Sequence, residues 1–169
     1  GWDFARFEKI LPAGVHHLSV MPNTPVSVGE GVVLLEEENS LTSQELAQAK
    51  ELLAPLGTVE TVPSSQMGIA GTLSGCGPAY AYLFIEALAD GGVKNGLPRA
   101  KAQRYAAQML LGSAEMVLRT GRHPGQLKDE VCSPGGSTIA GVDALEQHGF
   151  RGSCIAAVDA AFEKTRQLG

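Results

Sequence analysis

The stretch Cys132-Ser133-Pro134-Gly135-Gly136-Ser137-Thr138-Ile139 could do chemistry without a nucleophile or an obvious acid or base, because its residue types suit the binding of an anion. Serine is a favoured helix cap and proline a favoured first helical residue, so Ser133-Pro134 predicts a helix start that runs on through Ile139, Val142 and Leu145. The first turn of such a helix would leave the N–H groups of Gly135, Gly136 and Ser137 without internal partners, and the helix dipole adds partial positive charge there. Two glycines keep side chains out of the way, so a carboxylate or phosphate could approach the backbone. The hydroxyls of Ser137 and Thr138 can donate or accept. The alternative is an ordinary capped helix whose glycines only pack tightly.

Two other stretches draw notice. Met21-Pro22-Asn23-Thr24-Pro25 follows an apparent strand, the position where an open α/β sheet holds its ligands, although proline and asparagine also make plain turns. Ser74-Gly75-Cys76-Gly77-Pro78-Ala79-Tyr80 contains Gly-x-Gly, but it follows a helical pattern and has Tyr80 where a dinucleotide loop needs a third glycine. Its glycines fit close approach to a neighbour or ligand better. The four histidines, His16, His17, His123 and His148, have no metal-like spacing, and no Ser/His/Asp set or Gly-x-Ser-x-Gly elbow is present. Asp129-Glu130 are adjacent acids that do not converge on a helix. No metal site is expected, and any reactive group would belong to a cofactor.

These stretches need positioning elements. Trp2 to Leu11 reads as a short helix ended by Pro12 and Gly14, and Val15 to Met21 as a strand with no partner in the chain. Gly31 to Glu36 is a second strand, Ser40 to Leu56 a helix capped by Thr42 or Ser43, and Thr58 to Val62 a third strand. From Ser64 onward only helical segments appear: Ser64 to Leu73, Pro78 to Asp90 or beyond, Pro98 to about Thr120, Pro124 to Val131, the Ser133 helix to about His148, and Arg151 to Leu168 with Ile155, Val158, Phe162 and Thr165 inward. The fold class is therefore mostly α with a small α/β remnant, residues 1–63 being the remnant and 64–169 an all-helical domain.

A composition of 44% hydrophobic and 18% charged residues with net charge −5 is globular and makes nucleic-acid or anionic-membrane partners unexpected. The longest apolar run, Ala79 to Ala89, is far short of the roughly 20 residues of a membrane span. Three scattered cysteines without a CxxC pair suit reduced thiols in a cytoplasmic protein. Gly1 is not an initiating Met, and a fragment is expected. The helices around Ala79 to Ala89 and Tyr105 to Leu118 carry one formal charge each, Glu86 and Glu115. A helix apolar on more than one face needs cover on both sides, which predicts an obligate dimer.

Taken together, Met21 to Pro25, Leu73 to Tyr80, Ala87 to Pro98 and Asp129 to Gly141 closely resemble the pyrroline-5-carboxylate reductase family across essentially the whole chain. Departures are mild: Cys76 stands where the family often has Ser, and Ser137 where it often has Thr or Ala. The resemblance implies that 1–63 is the end of a Rossmann-type dinucleotide-binding domain without its Gly-x-Gly-x-x-Gly loop, and that 64–169 is a helical-bundle dimerisation and substrate domain. It further implies reduction of 1-pyrroline-5-carboxylate to L-proline with NADPH or NADH, by a homodimer that could assemble further. Met21, Pro22 and Asn23 would lie near the nicotinamide. Val131, Ser133, Gly135, Gly136, Ser137 and Thr138 would hold the substrate, with the catalytic Thr138 hydroxyl near the ring nitrogen. Without the pyrophosphate loop the chain alone is expected to be inactive. A non-catalytic dimerisation and anion-binding fragment, or a different Rossmann-type dehydrogenase with a helical second domain, are the alternatives.

Overall fold

The computed structural model describes residues 3–168, so Trp2, expected in the first helix, lies outside the described residues. The chain forms two compact units, one up to Ala79 rejoined by the segment from Ala156 onward, the other Tyr80–Ile155.

The first unit is built on a three-stranded sheet in the order β1 (Val20–Pro22), β2 (Gly31–Glu36), β3 (Gly57–Val62). β2 and β3 are parallel, with Gly31 opposite Gly57 and Glu36 opposite Val62, and are joined through helix α2 (Ser43–Leu53). Parallel strands need such a crossover, and the sequence supplies a good one. Thr42 caps α2 by accepting from Glu45 N, while the Glu45 carboxylate accepts from Thr42 N at 2.7 Å, a reciprocal capping box. A short 3₁₀ turn, Ala54–Leu56, then leads to Gly57 at φ +133, where a Cβ would stand 2.1 Å from the Gly31 carbonyl oxygen. Glycine is required there by both conformation and space.

β2 is the centre of this unit. Val33, Leu34, Leu35 and Glu36 are all buried, as expected for a strand covered on both faces. The buried Glu36 carboxylate accepts from Phe4 N, at the start of helix α1 (Phe4–Glu8), at 2.8 Å, where a helix N-terminus favours negative charge. Contrary to the sequence reading, the strand ending at Met21 has a partner: Val20 to Pro22 run antiparallel to Val33 to Leu35. It is also shorter than expected. Residues 15–19 contribute isolated bonds to the sheet exit, Glu36 N to Ser19 O and Ser40 N to His17 O. Pro22 is accommodated because a proline can sit at the end of an edge strand.

Helix α3 (Ser64–Lys94) runs for 31 residues through Pro78, whereas the sequence reading ended one helix at Leu73 and began another at Pro78. In the first unit, Gly71 lets α3 meet the sheet: a Cβ there would fall 2.1 Å from Met21 Sδ. Thr72 is buried, with its hydroxyl 2.8 Å from the Gly68 carbonyl and 3.2 Å from Thr165 Oγ1 of helix α7 (Phe150–Leu168).

The second unit is helical throughout: residues 80–94 of α3, α4 (Arg99–Thr120), α5 (Pro124–Glu130), α6 (Ser137–Gln147) and the start of α7. Its buried apolar residues are the alanines Ala89, Ala102 and Ala106. A Cβ on Gly92 would be 3.2 Å from that of Ala102, so small residues set the helix approach. The Phe84 and Phe150 rings lie 5.5 Å apart, a tilted pairing of the kind aromatic rings prefer. Ile155, expected to face inward, is exposed. No helix among the described residues is long and apolar enough to cross a membrane.

Candidate functional site

The expected anion-binding stretch is a turn followed by a helix, not a helix from Ser133 onward. Gly136 N donates to Ser133 O at 3.0 Å, and Gly135 has φ +67. A proline followed by a glycine at positive φ is the chemistry of a type II turn, so Pro134-Gly135 turns the chain before α6 begins. This shifts the donor set. Gly136 N is engaged in the turn, Val131 N donates to Lys128 O and Cys132 N to Asp129 O. The residues at the first three positions of α6 are Ser137, Thr138 and Ile139, whose N–H groups have no intrahelical carbonyl to reach. The cap is Gly136 and supplies no side-chain acceptor. A Cβ on Gly136 would come within 2.3 Å of Ser133 Oγ, so a larger residue at the cap would require the Ser133 hydroxyl to turn away.

Ser137 and Thr138 are exposed. Thr138 borders an apolar groove of about 520 Å³ formed with Leu88, Val142, Ala144, Leu145 and His148. The sequence reading did not bring Leu88 or His148 to this place. The helical spacing of Thr138, Gly141, Val142 and Leu145 on one face was the available signal. Around the turn, charge is paired off. Arg122 makes a forked bond to Glu130, holding that carboxyl below its ordinary range and raising the guanidinium's own pKa. Lys128 bonds to Asp129, which raises the ammonium pKa. The two acids preceding the turn are thus neutralised by partners.

In the other unit, Met21, Pro22 and Asn23 close the end of β1. Met21 lies against α3 at Gly71 and borders a cavity of about 670 Å³ with Ser19, Glu36, Met67 and Phe162. Asn23 stands at the cap of the following 3₁₀ turn, Thr24–Val28, yet makes no capping bond with its side chain. Its amide instead donates to Ser74 O at 3.0 Å and accepts from Val32 N at 2.9 Å. Two of the stretches singled out from sequence, around Asn23 and Ser74, are therefore in contact. Among the described residues, no three or more His, Cys, Asp or Glu side chains gather as a metal site would require. Cys76, Cys132 and Cys154 are free thiols.

A family model described as pyrroline-5-carboxylate reductase dimerisation matches residues 64–168. Pyrroline-5-carboxylate reductase 3 of Danio rerio is 47% identical over 169 residues, all of this chain and 59% of its own length. Pyrroline-5-carboxylate reductase of Synechocystis is 49% identical over the same span, 63% of its own length. The chain thus spans about three fifths of the length of these relatives. Among solved structures, the Plasmodium falciparum pyrroline carboxylate reductase with NADP bound is similar at a TM-score of 0.90 and 38% identity, covering 98% of this chain and 66% of that one.

Proposed function

The chain belongs to the pyrroline-5-carboxylate reductase family, and from that premise we propose that it forms the substrate-holding and dimerising part of an enzyme that reduces 1-pyrroline-5-carboxylate to L-proline. The observation that carries the reading in the structure is the start of α6, an eleven-residue helix with a glycine cap and no side-chain acceptor. The substrate is a small carboxylate, and backbone N–H groups at a helix start recognise one without a buried cation. In this reading Ser137, Thr138 and Ile139 direct donors at the carboxylate. Val131, Ser133, Gly135 and Gly136 shape the turn that leaves them accessible. The Thr138 hydroxyl reaches the ring nitrogen, where it steadies charge as the C=N bond is reduced. Leu88, Val142 and Leu145 give the ring an apolar wall.

NADPH or NADH would supply the hydride, delivered to the C=N carbon. The residues at the end of β1 fit the nicotinamide end as apolar and backbone surface: Met21 and Pro22 offer no charge, and the Asn23 amide that follows is held by Ser74 and Val32. No Gly-x-Gly-x-x-Gly run follows a strand in these 169 residues, so the chain alone is expected to be inactive and the reductase to need the further length that its relatives have. The exposed Leu83, Tyr105, Leu111 and Met116 of the helical unit supply the apolar surface for a homodimer in the cytoplasm.

Thr138→Val tests the site. In the full-length reductase it is expected to lower kcat for pyrroline-5-carboxylate by about 5- to 150-fold, the rate equivalent of roughly 1–3 kcal/mol for a lost hydrogen bond in the transition state. Unchanged turnover by a folded variant would contradict this role.

A further inference from the structure

We infer that Asn23 is a positioning residue whose side-chain amide gives Ser74 the hydrogen-bond donor that Pro78 cannot, clasping the turn after β1 to the middle of α3. In a regular helix the carbonyl of Ser74 accepts from the N–H four residues on. That residue is Pro78, which has no N–H and whose ring crowds the carbonyl four residues before it. A proline in a helix interior typically breaks or kinks it, at a cost of about 3 kcal/mol. Here α3 continues through Pro78 to Lys94. The carbonyl that the proline frees is the one Asn23 Nδ2 reaches, at 3.0 Å and partly buried. Ser74's own hydroxyl is turned back onto Ala70 O at 2.9 Å and serves the preceding turn.

The other end of the amide fixes its orientation. Val32 N can only donate and Ser74 O can only accept, so Oδ1 must face β2 and Nδ2 must face α3. Asparagine is also a favoured helix cap, yet here the side chain leaves the Thr24–Val28 turn uncapped and reaches across 51 residues of sequence. Beside it, Met21 lies on the bare backbone at Gly71, one helical turn before Ser74. The strand end is thus seated on α3 by an apolar contact and a bifunctional amide together. The isosteric Asp cannot do both, because its carboxylate has no proton to donate to a carbonyl at neutral pH.

For turnover, the inference rests on the reductase reading above, in which this turn borders the nicotinamide. Asn23 then acts through the backbone of Met21 and Pro22, and its loss is expected to raise KM for the dinucleotide about tenfold while changing kcat and the KM for pyrroline-5-carboxylate less than threefold, as follows for a hydrogen bond of about 1.4 kcal/mol. Pro78→Ala restores an N–H to Ser74 and makes the Asn23 donor redundant. The test is a double-mutant cycle of Asn23→Ala and Pro78→Ala, read by dinucleotide KM in the full-length reductase and by urea midpoint in the present chain. The clasp predicts that Asn23→Ala is markedly less harmful in the P78A background by both readouts. Equal effects in both backgrounds would overturn it, since a side chain touching the dinucleotide directly would be indifferent to residue 78. Should Asn23→Ala fail to fold, Asn23→Asp keeps the acceptor for Val32 while removing the donor, and the same rescue by P78A is required. A wild-type protein that does not reduce pyrroline-5-carboxylate would defeat the reductase reading, and the urea cycle would still decide the clasp.

Discussion

The two units bury opposite kinds of residue. In the sheet unit the interior is made by large side chains, with Val33 and Leu35 at 0% exposure and Met67 close behind. In the helical unit the buried apolar residues are alanines, while Leu83 is 67% exposed, Leu111 55% and Leu118 82%. Burying one large aliphatic side chain contributes about 1.5–3 kcal/mol. The sheet unit collects that within one chain, and the helical unit leaves most of it at the surface. Close helix approach through Ala89, Ala102 and Gly92 explains the arrangement: small residues bring backbones together and push the large side chains outward. So many large apolar side chains left exposed on one helical unit are what an interaction surface would present, which supports the proposed dimer.

The largest expected effect is in the sheet unit. Leu35→Ala should cost about 2–5 kcal/mol in urea unfolding, because it opens a cavity where β2 is covered on both faces. Leu118→Ala, at the far end of α4, should stay within about 0.5 kcal/mol at concentrations where the chain is monomeric. Similar costs at the two sites under those conditions would break the comparison, since they would mean that Leu118 is packed within a single chain.

A smaller effect sharpens the picture of how the sheet unit is held. Glu45 caps α2 and bonds to His16 at 2.7 Å, and the capping bond to Thr42 N, followed by His16 and the Thr42 hydroxyl, lowers its pKa from 4.5 to about 2. A carboxylate with a depressed folded pKa stabilises the fold above its unfolded value and loses that contribution as pH falls through the folded one. The increment should therefore be present at pH 6 and fade between about pH 4.5 and 2. Urea midpoints of the wild type and Glu45→Gln should differ at pH 6 and converge toward pH 2. A gap that stays constant across that range would remove the carboxylate from the cap.

Much of the scaffold was legible in the sequence because its causes are local. Thr42 marks the cap of α2, Gly57 the end of the helical stretch that finishes in the Ala54–Leu56 turn, and the β-rich run from Gly31 to Glu36 a strand. Two prolines differ from expectation for physical reasons. Pro78 reads locally as a helix opener because nothing nearby in sequence can serve the carbonyl of Ser74, and the donor comes from Asn23 far upstream. Pro134 reads as a first helical residue, but with Gly135 at positive φ it makes the turn before α6 instead. The stretch at 133–138 stands out as a candidate by residue types alone. The groove beside Thr138 was not, because Leu88 and His148 are brought there by helix packing.

The central claim is that the helical unit's large apolar side chains are held for a second copy of the chain. Sedimentation equilibrium at micromolar concentration tests it most directly. The account predicts a dimer for the wild type, and dissociation on Leu83→Asp with Leu111→Asp while the sheet unit keeps its urea transition. A wild-type chain that sediments as a monomer with its helical content intact would contradict it.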